Sequence, residues 1–356
     1  MSVIKTGEEL SKEALKELKK FQTGERRLLK TGRPYIDSHL GGVLPKSGVL
    51  LGAKSGVGKT VEYQKIMKGI LDSQKNAVIL NFMLEMSFLD LTVRDIHTLT
   101  RKKKSKILTE EFAEEEREIV RNYHGGMKDG RQFFVQEDVT ADDFYQLTRE
   151  FCIAHKDKDF CVIGLDHLIL VGGDDALRKM ARYTNKLRKE FHNFYFIYLS
   201  QLNRSDQGTV GERSNLMIPT TSLIYGSSEM EFLVSIVAFI TNPFKQGVME
   251  YMKFKPERYE EMREFYSDVD QKGFVSFNTL GNIFFHVCKV RESDNSYDNL
   301  YIEKMEVSEE EITKMKQSIV SEKKEEFSVM DIPTFPIVDA ITNSSWGELS
   351  KDDVPF

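Results

Sequence analysis

The chain has little cysteine: Cys152, Cys161 and Cys288 are the three in 356 residues, and their spacing fits neither a metal site nor a redox motif. That scarcity excludes a disulfide scaffold and makes a reducing cytosol the expected compartment. No apolar run approaches the ~20 residues of a membrane span. The opening stretch MSVIKTGEELSKEALKELKK has no signal-peptide pattern. An excess of positive charge is also missing, since 50 Lys and Arg face 56 Asp and Glu for a net charge of −6. This does not exclude a nucleic-acid partner, because phosphate contacts are local and charges are screened beyond ~10 Å. Much of the acidity sits late, in Glu306 to Glu311, Glu322 to Glu326 and the final residues. With 40% hydrophobic and 30% charged residues, the chain is ordinary globular material able to bury a sizeable core.

The stretch that organises the rest is Val49 to Thr60, VLLGAKSGVGKT. It reads as a buried strand, a phosphate loop and the start of a helix over Val61 to Leu71. Ala53 takes the leading small position, followed by Lys54, Ser55, Gly56, Val57, Gly58, Lys59 and Thr60. Glycines let backbone N–H groups curl round a β-phosphate, and the helix turns its positive end toward the anion. Lys59 is placed to reach the β- and γ-phosphates of ATP, and Thr60 to ligate Mg²⁺.

Along the chain, residues 8 to 20 place Leu10, Ala14, Leu15 and Leu18 on one helical face, too short a helix to stand alone. It is expected to dock on its own domain or on a neighbouring subunit. A second apolar run, Ala77 to Met83, ends on Leu84-Glu85-Met86-Ser87. Strand, loop, helix and strand make a βαβ unit with its site at the carboxyl ends of parallel strands, and Glu85 falls there. Leu89 to Tyr123 reads as a charged helical region carrying the basic run Arg101 to Lys104. Gln132 to Gln136 reads as a strand and Ala141 to His155 as a helix.

Phe160 to His167 is an apolar run that ends by presenting Asp166, the form in which a buried strand aims a carboxylate at the shell of a phosphate-bound Mg²⁺. Leu177 to Phe191 is a basic amphipathic helix. Asn193 to Leu199 is a further central strand that ends on Ser200-Gln201-Leu202-Asn203-Arg204, ahead of a long loop from Ser205 to Ser222. Met230 to Thr241 is expected to be a strand, Phe244 to Lys272 an aromatic, charged insertion, and Phe274 to Val290 a β-hairpin that delivers Lys289 and Arg291. Leu300 to Val307 would be the return strand, 308 to 326 a charged helix, and the rest an irregular tail carrying Trp346.

The order A-x-x-x-x-G-K-T, L-E-M-S, apolar strand with Asp, S-Q-L-N-R and a strand ending K-x-R resembles the DnaB-type replicative helicases, a hexameric RecA-like ring family, over roughly residues 30 to 307. The resemblance implies an α/β fold, a RecA-like P-loop NTPase core with a mostly parallel central sheet. It implies Glu85 as general base, Asp166 as organiser of Mg²⁺ and Gln201 as γ-phosphate sensor. Lys289 and Arg291 would serve the neighbouring subunit's ATP, Arg291 as an arginine finger.

The chain departs from the family before the Met230 strand, where residues 223 to 231 keep chiefly Ser227 and Glu231 of the usual motif. The family's N-terminal domain is also expected to be missing, which suggests a compact, phage-like form. The expected layout is a linker helix and connector over 1–30, an ATPase/helicase domain over 31–320 and an acidic tail over 321–356. Asp352-Asp353-Val354-Pro355-Phe356 is similar to the acidic, Phe-terminated tips of single-stranded-DNA-binding proteins and suits a basic-rimmed apolar pocket.

The expected function is an ATP-dependent helicase that forms a homo-hexameric ring and moves on single-stranded DNA. Arg178, Lys179, Arg204 and Arg213 are the candidate backbone contacts. Polymerase, primase or a loader are the expected replication partners, and the host cytoplasm or a phage replication compartment the place. A filament-forming RecA/RadA-like recombinase or mediator, and an ATP-gated non-catalytic loader or scaffold, are the alternatives.

Overall fold

The computed structural model describes residues 4–114, 116–118, 130–172, 175–202, 219, 221, 230–246, 248–290, 299–305 and 313. A compact unit spans Met1–Val307. Its apolar runs become strands β1 (Gly48–Ala53), β2 (Ala77–Met83), β3 (Gln132–Val135), β4 (Phe160–Asp166), β5 (Phe194–Gln201) and β6 (Ile236–Thr241). Where these six pair with one another they are parallel. With β7 (Glu250–Phe254), β8 (Val275–Asn278), β9 (Asn282–Val290) and β10 (Asn299–Lys304), the chain builds an eight-stranded sheet of order β10-β9-β6-β1-β5-β4-β2-β3 and a separate β7-β8 pair. Every residue of β1, β2 and β4 is buried, which is why these strands read as continuous apolar runs rather than as alternations.

Helices cover both faces. On one lie α2 (Pro34–Leu40) and the P-loop helix α3 (Lys59–Ser73), whose Tyr35, Ile66 and Ile70 pack with Val49, Leu51, Ile79 and Ile197. Two later helices, Ala141–Ala154 and Ala176–Glu190 (α6 and α7), lie on the other. Their Phe144, Met180 and Leu187 pack with Leu50, Phe82, Ile163 and Phe196. Between the two pairs run α4 (Phe88–Thr100) and α5 (Lys104–Thr109). The helical region expected over 89–123 is thus interrupted: among the described residues it holds α4, α5 and further helical residues at 114 and 116–118. Arg101 adopts φ 57° and closes α4, so Arg101–Lys103 of the basic run break the helix and Lys104 opens α5.

The first helix, α1 (Gly7–Gln22), forms for local reasons: Thr6 and Glu9 make a reciprocal capping box, with acids in its first turn and lysines in its last. None of its residues is buried, and Leu10, Leu15 and Leu18 remain 53%, 65% and 56% exposed. Among the described residues nothing buries its apolar face.

Two expectations are corrected. The strand expected over Met230–Thr241 is confined to Ile236–Thr241, because Ser235 is tied to the Gly48 carbonyl by both its N–H (3.0 Å) and its hydroxyl (3.2 Å). Residues Met230 and Glu231 belong to a helical turn instead. The hairpin expected over Phe274–Val290 does not form either. β8 pairs antiparallel with β7, whereas β9 crosses into the large sheet between β6 and β10. Thr279 decides this: its hydroxyl donates to the Val248 and Met249 carbonyls, pinning the turn to the residues that lead into β7. Tyr251, Phe254, Tyr259 and Phe277 then cluster on Phe284 and Leu300, covering one face of β9 and β10, while the next residue, Phe285, packs on the α3 face.

Candidate active site

The phosphate loop leaves β1 at Ala53 and re-enters helix at Lys59. Gly56 and Gly58 adopt φ 77° and 109°, and a Cβ on either would meet nothing within 4 Å. Backbone conformation rather than space therefore requires glycine at these two positions. Gly58 caps α3 without a side-chain hydrogen bond to its first N–H groups, which leaves a helix N-terminus suited to an anion.

The parallel register sets the other groups around this loop. Met83, the last residue of β2, lies opposite Asp166, the last of β4, and the Leu84 N–H donates to the Asp166 carbonyl at 3.0 Å. Glu85 follows two residues after Met83 and stays about half exposed. On the other side Ala53 is the register partner of Gln201, which puts Gln201 at the shoulder of the phosphate loop.

Lys59 and Thr60 are buried at the base of the site. Burial pushes the Lys59 ammonium down, opposed by the nearby charges of Asp166 and Glu85. Burial pushes the Asp166 carboxyl up, opposed by the Thr60 hydroxyl and by Lys59. Thr60 lies close enough to lower Asp166, yet among the described residues neither carboxylate oxygen completes a hydrogen bond, although both are fully buried. Two orphaned buried oxygens beside a threonine hydroxyl fit a hard cation such as Mg²⁺, which takes one or two protein ligands and completes its shell with phosphates and water. Among the described residues no group of three or more His, Cys, Asp or Glu forms a cage for a metal.

Two further residues enter the site that the motif reading did not single out. His167 is buried, and burial followed by the Lys59 charge holds its pKa down at about 4, so it is neutral near pH 7. Its Nε2 lies 3.6 Å from Glu85 Oε2. Arg94 of α4 donates to Gln64 Oε1 of α3 at 2.8 Å, and its charge favours ionised Asp166. A sequence signal existed for both: His167 directly follows Asp166, and Arg94 lies two helical turns after Ser87, the N-cap of α4, on the face that turns back to the site.

Lys289 is elsewhere. It lies opposite Val237, which pairs with Leu50, three residues and ~10 Å short of Ala53 at strand spacing. Because β9 is antiparallel to β6, Lys289 and Val290 lie at the end of the sheet away from the phosphate loop. Its ammonium is bound to Glu231 within the same chain, at 3.0 Å to the carbonyl and 3.1 Å to Oε1. Arg178 and Lys179 occupy the first turn of α7, where they pair with Asp175 (3.4 Å) and Asp142 (3.1 Å). A shallow groove runs along α7 between Arg178, Arg182 and Phe232. Arg204, Arg213, Arg291 and the tail Asp352–Phe356 lie outside the described residues.

A phosphate loop, a buried aspartate at the end of a parallel strand one removed from it and a glutamate at the end of the next define a P-loop NTPase-type site on a RecA-like sheet. Residues 29–264 match the DnaB-like helicase C terminal domain, and the chain belongs to that family. It is 24% identical over 219 residues to the replicative DNA helicase DnaB of Buchnera aphidicola subsp. Baizongia pistaciae, a match covering 60% of this chain and 46% of that protein. The chain thus spans about half the length of this curated relative.

Two solved structures share the fold. One, an ATPase domain, superposes with a TM-score of 0.59 at 16% identity, covering 85% of this chain and 96% of that one. A DnaB-like replicative helicase, described with its interactions with primase, gives 0.55 at 17% identity, covering 78% and 61%. The family match ends before β8, so Lys289 lies beyond it. Among the described residues no helix is long and apolar enough to cross a membrane.

Proposed function

We propose that this chain is the ATPase motor of a replicative DNA helicase, which assembles as a ring, moves on single-stranded DNA and unwinds duplex. The reading rests above all on one observation: Lys59, Thr60, Glu85 and Asp166 converge at the carboxyl ends of β1, β2 and β4, while β9 carries Lys289 out by the opposite end of the sheet. One chain then holds the phosphates of its own nucleotide and offers cations to another's.

In this reading Lys59 and the α3 N-terminus hold the β- and γ-phosphates of ATP, and Glu85 orients and deprotonates the attacking water. Thr60 and Asp166 would hold Mg²⁺, which supplies charge neutralisation across the phosphates when bound. Gln201, beside Ala53, senses the γ-phosphate and passes its loss to the loop that follows. Lys289 and Arg291 act on the neighbouring copy, so hydrolysis depends on assembly. The exposed Leu10, Leu15 and Leu18 face of α1 docks on a second copy. Arg178 and Lys179, with Arg204 and Arg213, hold the DNA backbone, and the Asp352–Phe356 tip recruits a replication partner such as polymerase, primase or a loader. The place of action is the cytoplasm of the cell in which replication occurs.

A forked-duplex unwinding assay on the purified chain tests this. ATP-dependent strand separation is the expected result. ATP hydrolysis with filaments on single-stranded DNA and no unwinding would favour a recombinase instead, and binding of ATP with no DNA-stimulated hydrolysis a non-catalytic loader.

A further inference from the structure

His167 is a polar side chain buried to 5% exposure, yet its hydrogen bonds are incomplete. Nδ1 is buried and has no hydrogen-bond partner among the described residues. Nε2 lies 3.6 Å from Glu85 Oε2, within ion-pair range and just beyond a hydrogen bond. A neutral imidazole carries one N–H, and the two nitrogens differ in what they face. A proton on Nδ1 would bury an unpaired donor; a proton on Nε2 points the donor at a carboxylate. The second tautomer is the favoured one.

The surroundings make this contact directional. His167 follows Asp166, whose position is set by the β2–β4 register, so the imidazole is anchored to the rigid sheet. Glu85 lies beyond the end of β2 and is about half exposed, so its carboxylate has freedom that the imidazole lacks. A mobile base beside a fixed donor is a base that the donor can aim, and such contacts tighten when substrate is engaged.

We propose that His167 is a positioning residue for Glu85, donating from Nε2–H to Oε2 so that the opposite lone pairs of the carboxylate face the attacking water. This rests on the assignment of Glu85 as general base made above. His167 itself touches neither nucleotide nor water in this role.

The test exploits side-chain reach. The amide nitrogen of glutamine reaches about as far as Nε2 of histidine, whereas that of asparagine reaches only as far as Nδ1. In the full chain assembled on single-stranded DNA, His167→Gln should keep most of the ATP turnover, and His167→Asn should lose roughly 10- to 100-fold in kcat. Affinity for a fluorescent ATP analogue and the melting temperature should be alike in the two. In a Glu85→Gln background the Asn substitution should cause no further loss, because the group it aims is no longer a base. Equal turnover in His167→Gln and His167→Asn, or losses at His167 and Glu85 that multiply, would overturn the proposal. Parental hydrolysis by Glu85→Gln alone would instead overturn the assignment of the base.

Discussion

Lys289 and Glu231 hold one another within a single chain, the ammonium donating to the Glu231 carbonyl at 3.0 Å and to its Oε1 at 3.1 Å. Both side chains are about one quarter exposed, so the ion pair itself contributes at most ~1 kcal/mol. A purely structural role for Lys289 predicts that Lys289→Ala and Glu231→Gln lower the melting temperature slightly and leave turnover alike. Action on a neighbour's nucleotide predicts a much larger effect of Lys289→Ala on hydrolysis, on the order of 10²-fold, the scale for removing one electrostatic stabiliser of a transition state. Paired thermal melts and DNA-stimulated ATPase rates on the two variants decide between these outcomes.

Lys59→Ala should abolish ATP hydrolysis, since it removes the buried cation at the base of the phosphate loop. Arg291→Ala should lower hydrolysis by ~10³ or more and leave nucleotide binding largely intact, because a finger stabilises charge that develops only in the transition state. Normal DNA-stimulated turnover in Arg291→Ala would remove the finger assignment.

The α1 face gives a prediction about assembly. Leu15→Glu with Leu18→Glu should leave the fold of the single chain intact, because both side chains are exposed on it. Mass photometry in the presence of ATP should show smaller particles than the parent, and hydrolysis should fall with assembly. Unchanged rings would show that α1 docks nothing.

Gly164 lies in the middle of β4 against the P-loop helix. A Cβ there would come 1.7 Å from the Tyr63 hydroxyl oxygen, which itself donates to Asn81 Oδ1 at 2.6 Å inside the core. Gly164→Ala should therefore destabilise the chain by about 1–3 kcal/mol, the usual cost of overpacking. A chemical-denaturation midpoint equal to that of the parent would contradict this.

The contact between the insertion and β9 carries a pH dependence. His286 is buried, paired with the Tyr251 hydroxyl at 3.0 Å, and burial holds its pKa down at about 3 against the ordinary 6.5. Between these values the unfolded chain binds a proton that the folded chain refuses. The stability contributed by neutral His286 is thus full above the unfolded pKa and is lost as pH falls from 6.5 toward 3. His286→Leu should make the acid limb of stability shallower by about 1.4 kcal/mol per pH unit in that window. Denaturant titrations at about pH 7, 5.5 and 4.5, which sample that window, would show an unchanged slope if the imidazole were not responsible.

The parallel part of the fold was legible because its strands are buried on both faces. Ala77–Met83 and Phe160–His167 stand out as apolar runs, and the structure sets strands at Ala77–Met83 and Phe160–Asp166. The phosphate loop was legible too, since only glycine accepts the backbone conformation of Gly56 and Gly58 without cost. The antiparallel edge was not. β8 and β9 are consecutive, apolar and separated by a short turn, the local pattern of a hairpin, but the Thr279 hydroxyl ties that turn to Val248 and Met249, some thirty residues earlier. Such a bond has no periodicity to betray it.

Residue order alone establishes that a nucleotide-binding loop, two acidic strand ends and a polar strand end occur in one chain, because backbone conformation and strand burial are local demands that residue type must meet. Which of these groups come together is a matter of tertiary pairing. The β2–β4 and β1–β5 registers bring Glu85, Asp166 and Gln201 round Lys59, bury His167 against the glutamate, and carry Lys289 to the far end of the sheet. Register and strand order are set by long-range hydrogen bonding and burial, which no short stretch of sequence contains.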